Sequence, residues 1–143
     1  MSITSANSIF MLAIIPLFPI PQRIQGYAAD DIFSTEPIET AETQMGVDGK
    51  LSAGFVFNPI KWSINLMADS ASNGVFDFWY TSNRVALETF PAEAILTLPS
   101  IGTSWVMSNG YLSSLPPIPD GGKVLKSRKF TITWESVLPA PVG

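Results

Sequence analysis

Neither cysteine nor histidine occurs among the 143 residues, and charge is sparse. Without cysteine there is no disulfide framework, no thiolate zinc site and no cysteine nucleophile, and the redox compartment cannot be read. Without histidine the commonest general base and metal ligand is missing, and every Ser-His-Asp arrangement is excluded. Charged residues make up 14% of the chain, against about 25% in an ordinary soluble domain, and the mean hydropathy is +0.26. A surface this poor in charge is expected to be covered in part by partners. No proline-free apolar run approaches the ~20 residues of a membrane helix, so no membrane insertion is expected. The net charge of −4 and the lack of a basic, aromatic-rich face speak against a nucleic-acid reader.

The chain commits itself between Gly49 and Asn83, GKLSAGFVFNPIKWSINLMADSASNGVFDFWYTSN. Ile60, Trp62, Ile64 and Leu66 alternate with Lys61, Ser63 and Asn65, the period of two of a strand with one buried face. Asp69, Ser70 and Ser72 then offer oxygens that could cap the free amides of a helix start. Val75, Phe76 and Trp79 fall at helical spacing, with Phe78 widening the stripe, so a helix is predicted over about Ser72 to Asn83, packed across the sheet.

Length predicts a single domain, 1–143. Residues 1–28 are expected to be an extended N-terminal segment. Its first seven residues, MSITSAN, are expected to be frayed, and SIFMLAII is a buried strand followed by a proline-stiffened stretch, LFPIPQ. A signal peptide would need positive charge before the apolar run, and the first basic residue is Arg23. QRIQGYA continues as a second short strand. Residues 29–48 form a long acidic loop, with a short strand from Thr35 to Thr43. The stretch from Ala29 to Lys50 holds six of the twelve acidic residues, Asp30, Asp31, Glu36, Glu39, Glu42 and Asp48. They lack the compact spacing that sets oxygens around calcium. Asp48-Gly49 marks a hairpin turn.

Beyond the helix, Ala94 to Leu98 is predicted as a strand. Asn109-Gly110, inside Ser104 to Leu115, signals a hairpin, with a bulge in one strand as the alternative. PPIPDGG is a loop, and KVLKSRK then packs four of the eight basic residues, Lys123, Lys126, Arg128 and Lys129, into seven positions. Phe130, Ile132 and Trp134 alternate with polar residues, so Lys129 to Val137 is a strand, and LPAPVG is a short tail. The fold class is therefore mainly β (α+β), an antiparallel β-barrel or sandwich with one packed α-helix. The predicted core is Trp62, Ile64, Leu66, Phe76, Trp79, Phe130, Ile132 and Trp134, with at least three of the four tryptophans as anchors. The alternative for the tryptophans is an aromatic platform for sugars.

Catalysis has little to rest on. Asp69 and Asp77 are the best-placed carboxylate pair for glycoside hydrolysis, yet one reads as a cap and the other as an exposed helical residue. No phosphate loop, metal quartet or hydroxyl-lysine dyad is present, so neither an enzyme nor a cofactor is expected.

The segments DGKLSAGFV and LMADSASNGVFDFWY resemble the tail tube and baseplate tube-initiator proteins of contractile-tailed bacteriophages, as do ILTLPSIG, WVMSNGYLSSLP and KFTITWESV. The resemblance spans most of the chain, and LFPIPQ departs from the repeating tube subunit, which leaves a baseplate or terminator ring open. It implies a tail-tube-like β-barrel that assembles as a homo-hexamer in the virion after synthesis in the host cytoplasm. Rings would stack on neighbouring tube or baseplate rings, contact tape-measure and sheath proteins, and pass DNA as transient, non-specific cargo. Beyond the resemblance, the separation of acidic and basic segments leads us to expect Asp30, Asp31, Glu36, Glu39, Glu42 and Asp48 of one subunit to meet Lys123, Lys126, Arg128 and Lys129 of the next. A carbohydrate- or protein-binding β-sandwich module and a small carboxylate enzyme remain the alternatives.

Overall fold

The computed structural model describes residues 8–15, 17–27 and 32–141. Expectations for the first seven residues and for Asp30 and Asp31 lie outside them. Strands β1 (Ile9–Ile14), β2 (Phe18–Ile24), β3 (Phe33–Thr35), β4 (Ala41–Met45), β5 (Leu51–Phe55) and β6 (Ile60–Leu66) precede the helix α1 (Asn73–Ala86), and β7 (Ala92–Leu98), β8 (Thr103–Ser114) and β9 (Arg128–Pro141) follow it. Seven strands form one antiparallel sheet in the order β2-β1-β7-β8-β9-β6-β3, while β4 and β5 pair only with each other.

The large sheet is folded on itself. Phe10 of β1 and Trp62 of β6 lie four strand spacings apart in that order, about 19 Å on a flat sheet at ~4.8 Å per strand. Their ring centroids are 4.5 Å apart. The chain also links the two sides of the sheet, since Tyr27, just after the edge strand β2, bridges Leu66 of β6, the neighbour of the other edge strand β3. Pro19 and Pro21 sit in β2, an edge strand, where a missing backbone donor costs least.

The core enclosed by this curl contains all eight residues that periodicity points to, among them Trp62, Trp79 and Trp134, together with Phe10, Leu12 and Ile14. Trp105 is only half-buried. The helix closes the packing, with Phe76 stacked on Phe130 at 4.3 Å and the Trp79 indole donating to the Phe90 carbonyl at 3.0 Å. Phe78, partly exposed, meets Phe18 of β2 edge-on at 5.5 Å.

Four local expectations need correction. The helix starts without a side-chain cap and runs on to Ala86. Ser72 instead accepts the Gln25 amide at 2.8 Å, and Ser70 donates to the Gln25 carbonyl at 2.6 Å. These serines tie the exit of β2 to the helix start, while Asp69 is exposed. Asn109-Gly110 makes no hairpin: β8 is continuous, and its register against β7 slips by one residue there, with Asn109 at φ +50. That is a bulge, and it bends the strand. Gly110 has to be glycine, because a Cβ would stand 2.4 Å from the Trp134 ring. The short strand expected from Thr35 to Thr43 in the acidic segment is instead two, β3 ending at Thr35 and β4 starting at Ala41. The C-terminal stretch expected to be a tail belongs to β9 as far as Pro141.

Candidate functional site

Two surface features stand out because none of the described residues covers them. The first is the β4–β5 hairpin. Gly49 at φ +83 makes its turn, the Gly46 amide donates to the Lys50 carbonyl at 2.8 Å, and Asp48 accepts the Lys50 amide at 3.1 Å. All ten strand residues are exposed. Glu42 and Asp48 lie in this hairpin, Glu39 precedes it, and Glu36 stands at the end of β3 where the chain departs toward it, its amide bonded to the Lys61 carbonyl; all four are exposed. So are Phe55 at 70% and Phe57 at 91%, their rings edge to face at 4.8 Å.

The second is the loop 115–127. Lys123 and Lys126 are exposed on it, as is Lys129 at the start of β9, and Ile118, Val124 and Leu125 are exposed beside them. Among the described residues none of these lysines and none of the hairpin carboxylates makes a salt bridge.

Arg128 departs from this pattern. Expected at a subunit interface, it is 4% exposed and turned inward, paired with Asp77 of the helix through two hydrogen bonds at 2.8 and 3.0 Å. It also donates to the Pro116 carbonyl at 2.7 Å and lies over the Phe130 ring at 4.9 Å. It shares the inward parity of Phe130, Ile132 and Trp134, which is why it enters the core edge. Here Arg128 holds the base of the loop to the helix, and Asp77 is committed to it.

The two features leave the sheet at opposite ends of β6. The hairpin departs after Thr35, which pairs with Trp62, and returns at Ile60. The basic loop enters β9 at Arg128, which pairs with Leu66. Six residue steps at ~3.3 Å separate the two ends, about 20 Å.

Among the described residues the concavities offer no comparable chemistry. A cavity of about 290 Å³ lined by Phe33, Thr35, Trp62, Leu96, Leu98, Trp105, Met107 and Val137 is almost wholly apolar. A sugar site needs polar partners beside its aromatic ring, so Trp105 is a poor platform. Among the described residues no group of three Asp or Glu could hold a metal ion, and no helix is long and apolar enough to cross a membrane. The Phe55 and Phe57 pair was missed by the sequence reading, although GFVFNP places two large aromatics next to an Asn-Pro breaker.

Comparison with known proteins adds a family and a fold. The sequence matches the family described as tail fiber protein gp32 over residues 1–138. No curated protein matches it. Among solved structures, the sheath/tube terminator of the PVC extracellular contractile injection system, in its extended state, superposes with a TM-score of 0.65 at 14% identity, covering 92% of each chain. The tube-terminating cap of the anti-feeding prophage gives 0.65 at 12% identity, over 99% of this chain and 93% of that one. A chain of the 6-fold symmetrised baseplate of the same particle gives 0.62 at 11% identity, over 99% and 97%. The fold is shared over at least 92% of each chain in all three comparisons.

Proposed function

The chain belongs to the tail fiber protein gp32 family, and from that premise we propose that it is a non-enzymatic ring subunit of a contractile tail, in the tube itself or at its baseplate-proximal start. Six copies close the ring, which lines the channel for DNA. The observation that carries this reading is similarity over at least 92% of each chain to terminator, cap and baseplate chains at TM-scores of 0.62 to 0.65. Sparse charge supports it, because subunit contacts cover surface that a free monomer would have to solvate. Carboxylates facing the lumen repel phosphates, so DNA slides through without sticking. Sheath, tape-measure and adjoining tube proteins are the remaining partners, and the virion is where the ring resides after assembly in the host cytoplasm.

Light scattering on the purified protein, followed by negative-stain imaging, tests the reading. Particles of six subunits with a central channel are expected. A monomer at every concentration, alone and with tail partners, would refute it.

A further inference from the structure

The β4–β5 hairpin is a two-stranded ladder without a core. Both faces are exposed, and such a ribbon is marginal in water by itself. Its surface combines carboxylates with apolar residues: Glu36, Glu39, Glu42 and Asp48 against one basic residue, Lys50, with Phe55 and Phe57 beside them. The loop at the other end of β6 presents the converse, Lys123, Lys126 and Lys129 around exposed Val124 and Leu125. Within one chain the two roots are about 20 Å apart along β6, and no salt bridge joins them among the described residues.

We infer that the hairpin of one copy docks on the 115–127 loop of a second copy in an adjacent ring, head to tail. The occupant is a copy of this chain because the chain itself carries both halves of a complementary pair and places them at opposite ends. Apolar contact between Phe55, Phe57 and the Val124-Leu125 ridge supplies affinity, and the carboxylate-lysine pairing fixes register and polarity. Since the two surfaces differ, the contact is heterologous and propagates by stacking. Arg128 takes no direct part; it anchors the loop base through Asp77.

The inference rests on the ring reading, and its test separates the two. Two variants are made, Lys123→Glu/Lys126→Glu/Lys129→Glu and Glu36→Lys/Glu39→Lys/Glu42→Lys, with melting curves confirming that both fold. Sedimentation and negative-stain imaging then count single and stacked rings. Wild-type rings should stack, with the stacked fraction falling as salt rises. Each variant alone should lose at least tenfold of the stacked fraction while keeping single rings. Mixing the two should restore stacking, because each reversed surface then meets its complement in an alternating stack. Phe55→Ser/Phe57→Ser should weaken stacking as well. Wild-type rings that never stack, stacking indifferent to either reversal, or no restoration in the mixture would overturn the inference and leave the ring intact. A wild-type protein that never forms rings would overturn both.

Discussion

Removing Asp77 should harm the fold more than removing Arg128, although the two form one ion pair. The guanidinium is 4% exposed while the carboxylate side chain is 47% exposed. Asp77→Ala strips a buried cation of its counter-charge and of two hydrogen bonds, a change that costs about 3–5 kcal/mol. The Pro116 carbonyl and the Phe130 ring remain with Arg128, which places the cost near the lower limit, about 3 kcal/mol. Arg128→Met keeps an apolar stem in the same space and leaves Asp77 to be hydrated where it already meets solvent. Its cost is about 1 kcal/mol, the net worth of the hydrogen bonds lost. The double variant should then resemble Arg128→Met, giving a coupling energy of about 3 kcal/mol in magnitude. Urea unfolding of the dilute, unassembled chain, with the four proteins compared at constant m value, measures all three quantities. Equal costs for the two single variants, or a costlier Arg128→Met, would refute a buried, anchoring guanidinium and would return Arg128 to the list of surface cations.

Gly110→Ala should destabilise the chain by about 2 kcal/mol, because the added methyl meets the buried Trp134 ring at 2.4 Å; denaturant midpoints check this, and an unchanged midpoint would mean that the ring can move aside. Alkaline stability should involve Tyr27, whose hydroxyl oxygen is buried beside Ser8 and whose pKa is raised, chiefly by burial. The neutral phenol is favoured in the fold, so its contribution is whole below pH ~10 and is lost as pH climbs through the raised value. The stability of Tyr27→Phe should therefore fall less steeply above pH ~10 than that of the wild type, and parallel curves would remove Tyr27 from the account.

Strands β6 and β9 were legible because each has one face in the core and one outside, so burial writes a period of two into the sequence. The helix was legible for the same reason at a period near four, and its C-terminal turn was not, since Val85 is 80% exposed and carries no pattern. Asn109-Gly110 misled because positive φ serves both a hairpin and a bulge; the partner strands decide, and β9 pairs with residues on both sides of the dipeptide. Ser72 failed as a cap because it bonds to Gln25, 47 positions away, a contact that no local window contains. Arg128 was hidden inside a basic run. Its parity with Phe130 pointed inward, but side-chain charge outweighed parity in the reading.

On the hairpin and the 115–127 loop, exposed apolar residues lie beside charges that make no salt bridge among the described residues. Solubility alone would favour the reverse, with charge spread evenly and apolar groups withdrawn. Coincidence is the composition of a docking surface, where apolar contact holds and charge selects. A chain that carries unlike surfaces at its two ends also has an inherent direction: a stack of its rings exposes a hairpin face at one end and a basic face at the other, and neither end can close on itself. Whatever ends such a stack must therefore match one face and lack the other. By that logic the end of the ring that binds its own copies, and the end that binds a different tail protein, are distinguished by which of the two charge reversals blocks each contact.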